Sequence, residues 1–280
     1  MSQPFGLRLA DAMAQHGPLC LGIDPHSHLL QSWGLNDDPA GLETFSKTVV
    51  EAAATMVGVA ALKPQVALYE RFGAAGFAVL EDTLQFAHEA NIVTIADAKR
   101  GDIGSTMDGY AQAWLADGSA LAADAVTLSP YLGYESLRPA IDVAQAHNRG
   151  VFVLALTSNP EGASVQHVGA SDDSVAKRIV DAAGADNAHA DRLGSVGLVV
   201  GATAIDVTKT LNIDLARANA PILAPGYGSQ GAQASDIRTG FGAAWPNVLV
   251  NSSRAILRAG PQVADLKASI AEAHKELNVS

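Results

Sequence analysis

The order of hydrophobic and polar positions predicts eight short buried strands separated by helices. Each apolar run spans only three to six residues and is continuous rather than alternating, which is typical of strands covered on both faces. The predicted strands cover residues 19–23, 59–62, 92–95, 124–128, 151–156, 196–200, 221–224 and 248–250.

Longer segments with a helical pattern fill the intervals between these strands. Asp38 and Pro39 predict one helix start in detail, because an aspartate N-cap followed by proline at the first helical position is a common combination. The predicted helices cover residues 39–56, 69–90, 106–115, 135–147, 173–188, 203–219, 236–241 and 262–277.

The alternation of strands and helices predicts an α/β protein with a parallel sheet. We expect the sheet to close into a (β/α)8 TIM barrel, a fold that typically needs about 250 residues. The 280 residues would then form one domain, residues 1–280. A doubly wound open sheet is the alternative. In a barrel the carboxyl ends of all strands lie at one mouth, so residues that follow strands are candidates for a functional site.

Composition and charge argue against several classes of protein. The net charge of −11 provides no basic face for nucleic acid. Cys20 is the only cysteine, so an intrachain disulfide or a cysteine-rich zinc site cannot form. The amino-terminal sequence lacks the apolar core of a leader, and no run approaches the length of a membrane span. We therefore expect a cytoplasmic protein with neither nucleic-acid nor membrane partners.

The densest charge cluster follows the third strand, in the segment IVTIADAKRGDIGST at residues 92–106. It contains Asp97, Lys99, Arg100 and Asp102 within six positions. Because successive strand side chains alternate between faces, Asp97 and Lys99 can point the same way. A buried strand that ends in such a cluster favours a functional site. The alternative is a solvated loop whose charges only pair with one another.

Polar residues at other predicted strand ends extend this candidate site. Lys63 follows the second strand, so Lys63, Asp97, Lys99 and Asp102 would alternate in sign. A positioned ammonium at Lys99 can donate a proton or stabilise a developing carbanion. The strand-end candidates are Asp24, Lys63, Asp97, Lys99, Asp102, Ser158, Gln230 and Arg254.

A glycine-rich segment, PILAPGYGSQG at residues 221–231, forms a second cluster and contains the pattern G-x-G-x-x-G. A dinucleotide site would need an acidic residue at the end of the next strand, and NVLVNSSRAIL offers none. A phosphate cradle at a barrel mouth fits better. Gly228 and Gln230 would then supply hydrogen-bond donors and Arg254 a bidentate charge. The alternative is a simple turn.

Two other features have weaker interpretations. His26 and His28 form a His-x-His pattern after the first strand that could bind a metal, but later strand ends supply no complete ligand set, so we predict no metal site. Residues 160–173 form a long connection after the fifth strand. Such a connection is either a lid or an ordinary surface loop.

Taken together, these residues resemble the orotidine 5′-phosphate decarboxylase family. The resemblance rests on Asp97-x-Lys99-x-x-Asp102-Ile103, on Asp24 and Lys63, and on PGYGSQG followed by Arg254. The segments ADAKRGDIGST, LKPQ and SPYLGYESL are similar to the type 2 branch common in actinobacteria. It implies a homodimeric (β/α)8 barrel that converts orotidine 5′-phosphate to UMP and CO2 without metal or organic cofactor, the last step of de novo pyrimidine nucleotide synthesis.

The resemblance also implies a role for each matching residue. Lys99 would donate the proton to C6, and Asp97 would lie against the departing carboxylate. Lys63 would bridge Asp97 and the ribose, and Asp24 would bind a ribose hydroxyl.

The resemblance assigns the remaining residues to the neighbouring subunit, the base and the phosphate. Asp102, Ile103 and Thr106 would reach into the site of the neighbouring subunit, and Ser158 would bind the pyrimidine amide. The implied 5′-phosphate ligands are Gly228, Gln230 and Arg254.

Two segments depart from shorter family members, and two other functions remain open. The extended loops are residues 29–38 and 160–173. Sugar-phosphate decarboxylases and aldolases of the same barrel group share the Asp-x-Lys-x-x-Asp pattern but use Mg²⁺, which Lys63 would repel. A non-catalytic sensor of phosphorylated ligands is the other alternative, although it would not need Lys99 between two acids.

Overall fold

A computed structural model describes residues 3–169, 171–228 and 233–278 of the chain. The strands pair in parallel in sequence order, and the last pairs with the first to close a barrel. The expected (β/α)8 TIM barrel is therefore confirmed, and the open sheet is excluded. The strands are β1 (Leu19–Ile23), β2 (Ala61–Pro64), β3 (Val93–Arg100), β4 (Ala125–Leu128), β5 (Gly150–Leu156), β6 (Val196–Val200), β7 (Ile222–Pro225) and β8 (Val248–Ser252).

Helices surround the barrel and cover its amino-terminal end. Asp38 caps one of them as expected, since its carboxylate accepts a hydrogen bond from the Gly41 amide at 2.8 Å. No helix among the described residues is both long and apolar enough to cross a membrane. The helices are α1 (Phe5–His16), α2 (Ser27–Ser32), α3 (Pro39–Ala54), α4 (Ala67–Glu70), α5 (Gly73–Glu89), α6 (Gly104–Leu115), α7 (Arg138–Ala146), α8 (Ala163–Gln166), α9 (Val175–Asp186), α10 (Ile205–Thr210), α11 (Ala234–Phe241), α12 (Arg254–Leu257) and α13 (Val263–Asn278).

The prediction of one helix over residues 203–219 is wrong. A 3₁₀ turn at Ala202–Ala204 leads into α10, which ends at Thr210. Asn212 then adopts φ +50°, which a helix cannot continue through. The Asp214 carboxylate accepts hydrogen bonds from two backbone amides shortly after it, so a side-chain turn replaces the helix.

Three other predicted segments differ in detail. The helix expected over residues 69–90 is interrupted between α4 and α5, where Gly73 has φ +60°. The helix expected over 135–147 begins as a 3₁₀ turn, Tyr134–Leu137, before α7. The extension at residues 29–38 contains most of α2. Asp37, near the end of this extension, accepts a hydrogen bond from Arg71 Nη1 at 3.0 Å.

Apolar side chains of mixed size fill the inside of the barrel, and α1 covers its amino-terminal end. Cys20, Phe152 and Leu249 belong to this inner cluster and are fully buried. Phe5 of α1 packs edge-to-face on Phe152, with ring centroids 6.0 Å apart. Because apolar groups fill the middle of the barrel, its carboxyl-terminal mouth is separated from the end that α1 covers.

Candidate active site

A cavity of about 250 Å³ opens at the mouth formed by the carboxyl ends of the strands. Most of the strand-end candidates from the sequence line this cavity, together with several residues that were not candidates. Its lining comprises Asp24, Lys63, Gln65, Asp97, Lys99, Leu154, Thr157, Ser158, Val199, Leu223, Pro225, Gly226, Asn251, Ser253 and Arg254.

Asp97 lies at the centre of the polar side of this cavity and accepts four hydrogen bonds. Lys99 Nζ and Thr127 Oγ1 donate to Asp97 Oδ1 at 2.6 and 2.9 Å. Lys63 Nζ and Gln65 Nε2 donate to Asp97 Oδ2 at 2.8 and 3.1 Å. The fold therefore brings Lys63, Asp97 and Lys99 into direct contact.

The charges of this cluster stabilise one another although two of its members, Lys63 and Asp97, are buried. Burial alone would raise the pKa of Asp97, but the ammonium groups of Lys63 and Lys99 outweigh burial and hold that pKa well below its ordinary value. Burial likewise opposes the charged form of Lys63, and the attraction of Asp97 and Asp24 overcomes it and raises the pKa of Lys63. The side chain of Lys63 is 5 % exposed and that of Lys99 is 47 % exposed. Lys99 is thus the ammonium of the pair that faces the open space.

A backbone irregularity brings Lys99 back onto Asp97. The register between β3 and β4 shifts between Ala96 and Arg100, and Lys99 has φ +47°. A side chain larger than glycine is strained in this conformation and persists only where its surroundings hold it. The Lys99 amide, displaced from the regular ladder, donates instead to Thr127 Oγ1 at 2.9 Å. This bulge aims the Lys99 side chain at the cavity.

Three buried oxygens in the cavity wall lack a hydrogen-bond partner among the described residues. They are Asp24 Oδ1, Asn251 Oδ1 and Ser253 Oγ. Ser253 lies so close to β1 that a Cβ on Gly22 would fall 1.9 Å from its Oγ, so only glycine fits at Gly22. Buried acceptors without donors are costly, and a ligand with hydroxyl groups would satisfy them.

The wall of the cavity also carries the positive charge of an arginine. Arg254, at the start of α12, lines the cavity and forms no ion pair within the described part of the chain. Gly228 has φ +72° and borders a neighbouring groove of about 1030 Å³ rather than this cavity. Gln230 lies outside the described residues. The predicted phosphate cradle is thus represented in this cavity by Arg254 and Gly226.

Asp102, Ile103 and Thr106 do not join the cavity of their own chain. Asp102 Oδ1 accepts a hydrogen bond from the Ile103 amide at 2.8 Å, and Ile103 is 62 % exposed. The expected alternation of four charges is therefore incomplete within one chain's cavity, since β3 ends at Arg100 and Asp102 lies in the connection to α6. Arg100, also part of the charge cluster, forms an ion pair with Glu70 outside the cavity.

The connection at residues 160–173 begins beside the cavity and carries local structure. A 3₁₀ turn, Pro160–Gly162, precedes α8. Gln166, the last residue of α8, accepts from the Thr157 amide at 2.9 Å and donates to Thr157 Oγ1 at 2.7 Å. This segment is therefore fastened to the end of β5 beside Ser158. Elsewhere at the mouth, His26 and His28 stack with centroids 5.5 Å apart.

Five polar residues of the site were missed in the sequence: Gln65, Thr127, Thr157, Asn251 and Ser253. Thr127 and Asn251 occupy strand positions that look like ordinary sheet residues. Gln65 and Ser253 stand beside stronger signals, in LKPQ and in NSSR. Their position one or two residues from a charged candidate was the signal that could have identified them.

Comparison with known proteins agrees with this geometry. The family model described as orotidine 5′-phosphate decarboxylase / HUMPS family matches residues 17–269. An orotidine 5′-phosphate decarboxylase of Streptomyces coelicolor is 54 % identical over 266 residues, covering 95 % of this chain and 94 % of that protein. One from Corynebacterium efficiens is 50 % identical over 284 residues, covering 99 % and 98 %.

Solved structures give the same result. A Streptomyces avermitilis structure assigned to the same enzyme has a TM-score of 0.93 and 52 % identity, covering 99 % of this chain and 95 % of that one. The Leishmania donovani OMP decarboxylase structure has a TM-score of 0.77 and 30 % identity, covering 99 % and 98 %. The resemblance to the actinobacterial branch is confirmed by these relatives. The chain belongs to the orotidine 5′-phosphate decarboxylase / HUMPS family.

Proposed function

We propose that the cavity around Asp97 is the active site at which this enzyme decarboxylates orotidine 5′-phosphate to UMP and CO2. The observation that supports this most strongly is the buried Asp97 between Lys63 and Lys99, with Arg254 in the same cavity. A carboxylate and an ammonium bonded at 2.6 Å can act on the two ends of one breaking bond.

In the proposed mechanism the C6–carboxylate bond breaks and its electron pair remains on C6. The substrate carboxylate would lie against Asp97, whose ionised form is favoured by its two ammonium neighbours. Repulsion between the two carboxylates is relieved as neutral CO2 forms, whereas the Lys99 ammonium attracts the charge that develops at C6. Lys99 then transfers a proton to C6, and solvent reprotonates its amine. Interactions that strengthen only as charge develops lower the barrier.

Binding of the remote parts of the nucleotide would supply energy for this step. We assign the ribose to Asp24 and Lys63, with Asn251 and Ser253 offering further acceptors for its hydroxyl groups. The 5′-phosphate would bind Arg254, and the resemblance adds Gly228 and Gln230. Ser158 would bind the pyrimidine amide. Contacts far from C6 can drive closure and loss of water around the reacting atoms.

We further propose a homodimer in which each chain completes its neighbour's site. Asp102, Ile103 and Thr106 would lie over the second copy's cavity. This is supported by their absence from the cavity of their own chain and by an exposed apolar surface nearby. Ile103, Tyr131 and Leu132 are 62, 79 and 54 % exposed, which suits an isologous interface.

Mixing two inactive variants tests the shared site. Lys99→Ala and Asp102→Ala should each be nearly inactive, because every site of either homodimer is defective. After subunit exchange, confirmed by mass tags, each heterodimer holds one intact site, so activity should approach about a quarter of the wild-type level for random pairing. Exchange without recovery would mean that Asp102 serves its own chain.

One assay separates the decarboxylase from its alternatives. Orotidine 5′-phosphate is added with a chelator, and the loss of pyrimidine absorbance is followed. We expect turnover that the chelator leaves unchanged, since a Mg²⁺ ion near Asp97 would face two ammonium groups. Turnover that stops with chelator would favour a Mg²⁺-dependent relative, and binding without turnover would favour a sensor.

Two further proposals concern the whole chain. We propose that residues 1–280 form one domain, supported by the pairing of β1 with β8 and by α13 packing beside α3. We also propose that the enzyme acts in the cytoplasm, because its phosphorylated substrate and product do not cross membranes unaided.

A further inference from the structure

Thr127, on β4, lies behind the catalytic cluster and contacts both of its key residues. Its side chain is 1 % exposed and is absent from the cavity lining. Its Oγ1 accepts from the Lys99 amide at 2.9 Å and lies 2.9 Å from Asp97 Oδ1. One hydroxyl thus joins the backbone of the proposed proton donor to the carboxylate beside it.

The direction of these two hydrogen bonds is determined by the groups involved. An amide N–H can only donate, so Thr127 Oγ1 must accept from Lys99. The pKa of Asp97 lies well below its ordinary value, so its oxygen is an acceptor and the single hydroxyl proton of Thr127 points to it.

Lys99, Asp97 and Thr127 consequently form a closed circuit of hydrogen bonds. The Lys99 ammonium returns to the same Asp97 Oδ1 that Thr127 binds, at 2.6 Å. The circuit spans the register shift between β3 and β4, where Lys99 has φ +47°. A strained residue needs such fixed contacts to stay in place.

We propose that Thr127 is a positioning residue that fixes the Lys99 ammonium relative to Asp97 for protonation of C6. This inference rests on the roles proposed above for Lys99 and Asp97. Thr127 touches neither substrate nor solvent in this account. Its removal should therefore slow the chemical step and leave substrate binding largely intact.

Thr94 provides a matched control at the other end of the same strands. It is 4 % exposed, and its Oγ1 lies 3.1 Å both from Asp124 Oδ2, to which it donates, and from the Asp124 amide, from which it accepts. Like Thr127, it therefore donates to an aspartate carboxylate and accepts from a backbone amide, and it does not line the cavity. A purely structural contribution of a buried threonine hydroxyl should appear at both positions.

The test measures kcat, KM and urea unfolding for Thr127→Val, Thr127→Ser and Thr94→Val. We expect Thr127→Val to lower kcat about 10- to 100-fold with KM changed less than about threefold, because small misplacements of a reacting group have effects of this size. Thr127→Ser keeps the hydroxyl and should retain kcat within about fivefold. Thr94→Val should lose stability comparably but keep kcat within about twofold.

Three results would overturn the inference: unchanged kcat in folded Thr127→Val, an equal kcat loss in Thr94→Val, or failure of Thr127→Ser to restore activity. If Thr127→Val does not fold, the comparison of Thr127→Ala with Thr127→Ser takes its place. Lys99→Ala separates the two proposals. An active Lys99→Ala would refute the proposed site, whereas an inactive Lys99→Ala with a fully active Thr127→Val would refute only the role of Thr127.

Discussion

An aspartate–threonine pair lies at each of the two ends of strands β3 and β4. At the carboxyl end, Asp97 of β3 binds Thr127 of β4. At the amino end the order is reversed, and Asp124, which precedes β4, binds both the amide and the hydroxyl of Thr94 of β3. Both aspartates also bind a cation: Lys63 and Lys99 at one end, and Arg8 of α1 at the other.

The two pairs differ in the cation they hold and in where that cation points. Arg8 donates to Asp124 at 2.5 Å and to the carbonyl of Asn148 at 3.0 Å, so it fastens α1 across the end of the barrel. A guanidinium does not give up its proton near neutral pH, whereas an ammonium can. Lys99 is an ammonium, is half-exposed and faces a cavity. The same arrangement therefore suits attachment of α1 at the amino-terminal end and proton transfer at the carboxyl-terminal end.

Replacing each aspartate by the neutral asparagine should produce the largest difference between the two ends. Asp97→Asn should lower kcat about 10²- to 10⁴-fold and cost about 3–5 kcal/mol of unfolding free energy, because Lys63 stays buried without its main counter-charge. Asp124→Asn should cost about 1–3 kcal/mol and change kcat less than about twofold. Steady-state kinetics and urea unfolding of both variants provide the measurement. A matching kcat loss in Asp124→Asn would remove the functional difference between the two ends.

Replacing Arg254 or Arg8 by alanine should affect substrate binding differently at the two ends of the barrel. Arg254→Ala should weaken kcat/KM by about 1.5–3 kcal/mol, because a charge-assisted contact to phosphate is lost. The loss should be much smaller for orotidine without its phosphate. Arg8→Ala should affect the two substrates equally. Equal losses for both substrates in Arg254→Ala would place Arg254 outside the phosphate site.

The unfolding free energy should fall in acid as Asp97 becomes protonated. Its pKa in the folded chain lies below the ordinary 3.8, so its stabilising effect is complete above that value and is lost as the pH falls through it toward the folded pKa. Below about pH 4 this one group should add a slope of up to about 1.4 kcal/mol per pH unit to the unfolding free energy. Urea unfolding between pH 5 and 3 should be steeper for the wild type than for Asp97→Asn. Parallel curves would contradict this assignment.

The smallest expected effect is on the rate at which Cys20, inside the barrel between the two ends, reacts with an alkylating reagent. It is fully buried, and burial raises its pKa to about 12. Iodoacetamide should therefore label the native enzyme very slowly. Arg8→Ala should accelerate labelling, because Cys20 packs in the cluster that α1 covers, while Lys99→Ala should not. Equal rates in the two variants would mean that Arg8 does not hold α1 in place.

The sequence is informative about the barrel and the charged half of its site for a definite reason. Continuous apolar runs mark strands buried on both faces, and charges at their ends are conspicuous. Lys63, Asp97 and Lys99 could be brought together on this basis alone. The boundaries were less certain: β2 lies two residues later than predicted, and β3 continues through the charged residues.

The remaining features depend on contacts between distant parts of the chain. Thr127 matters because of a register shift, which no local pattern encodes. Asn251 is an uncharged residue within a strand, and its orphaned oxygen becomes apparent only when the barrel closes. The helix predicted over residues 203–219 failed because Asn212 and Asp214 form local turns that compete with a helical pattern.

The central claim is that the ammonium of Lys99 carries the chemistry while contributing little to the fold. Lys99→Ala is compared with the wild type and with Arg8→Ala for kcat, UMP binding and the urea unfolding midpoint. We predict that Lys99→Ala loses turnover while its fold and UMP binding stay largely intact, with a smaller fall in the midpoint than in Arg8→Ala, because the Lys99 side chain is 47 % exposed. Arg8→Ala should lower the midpoint more but keep turnover. A Lys99→Ala variant that retains a substantial fraction of the wild-type kcat would contradict it.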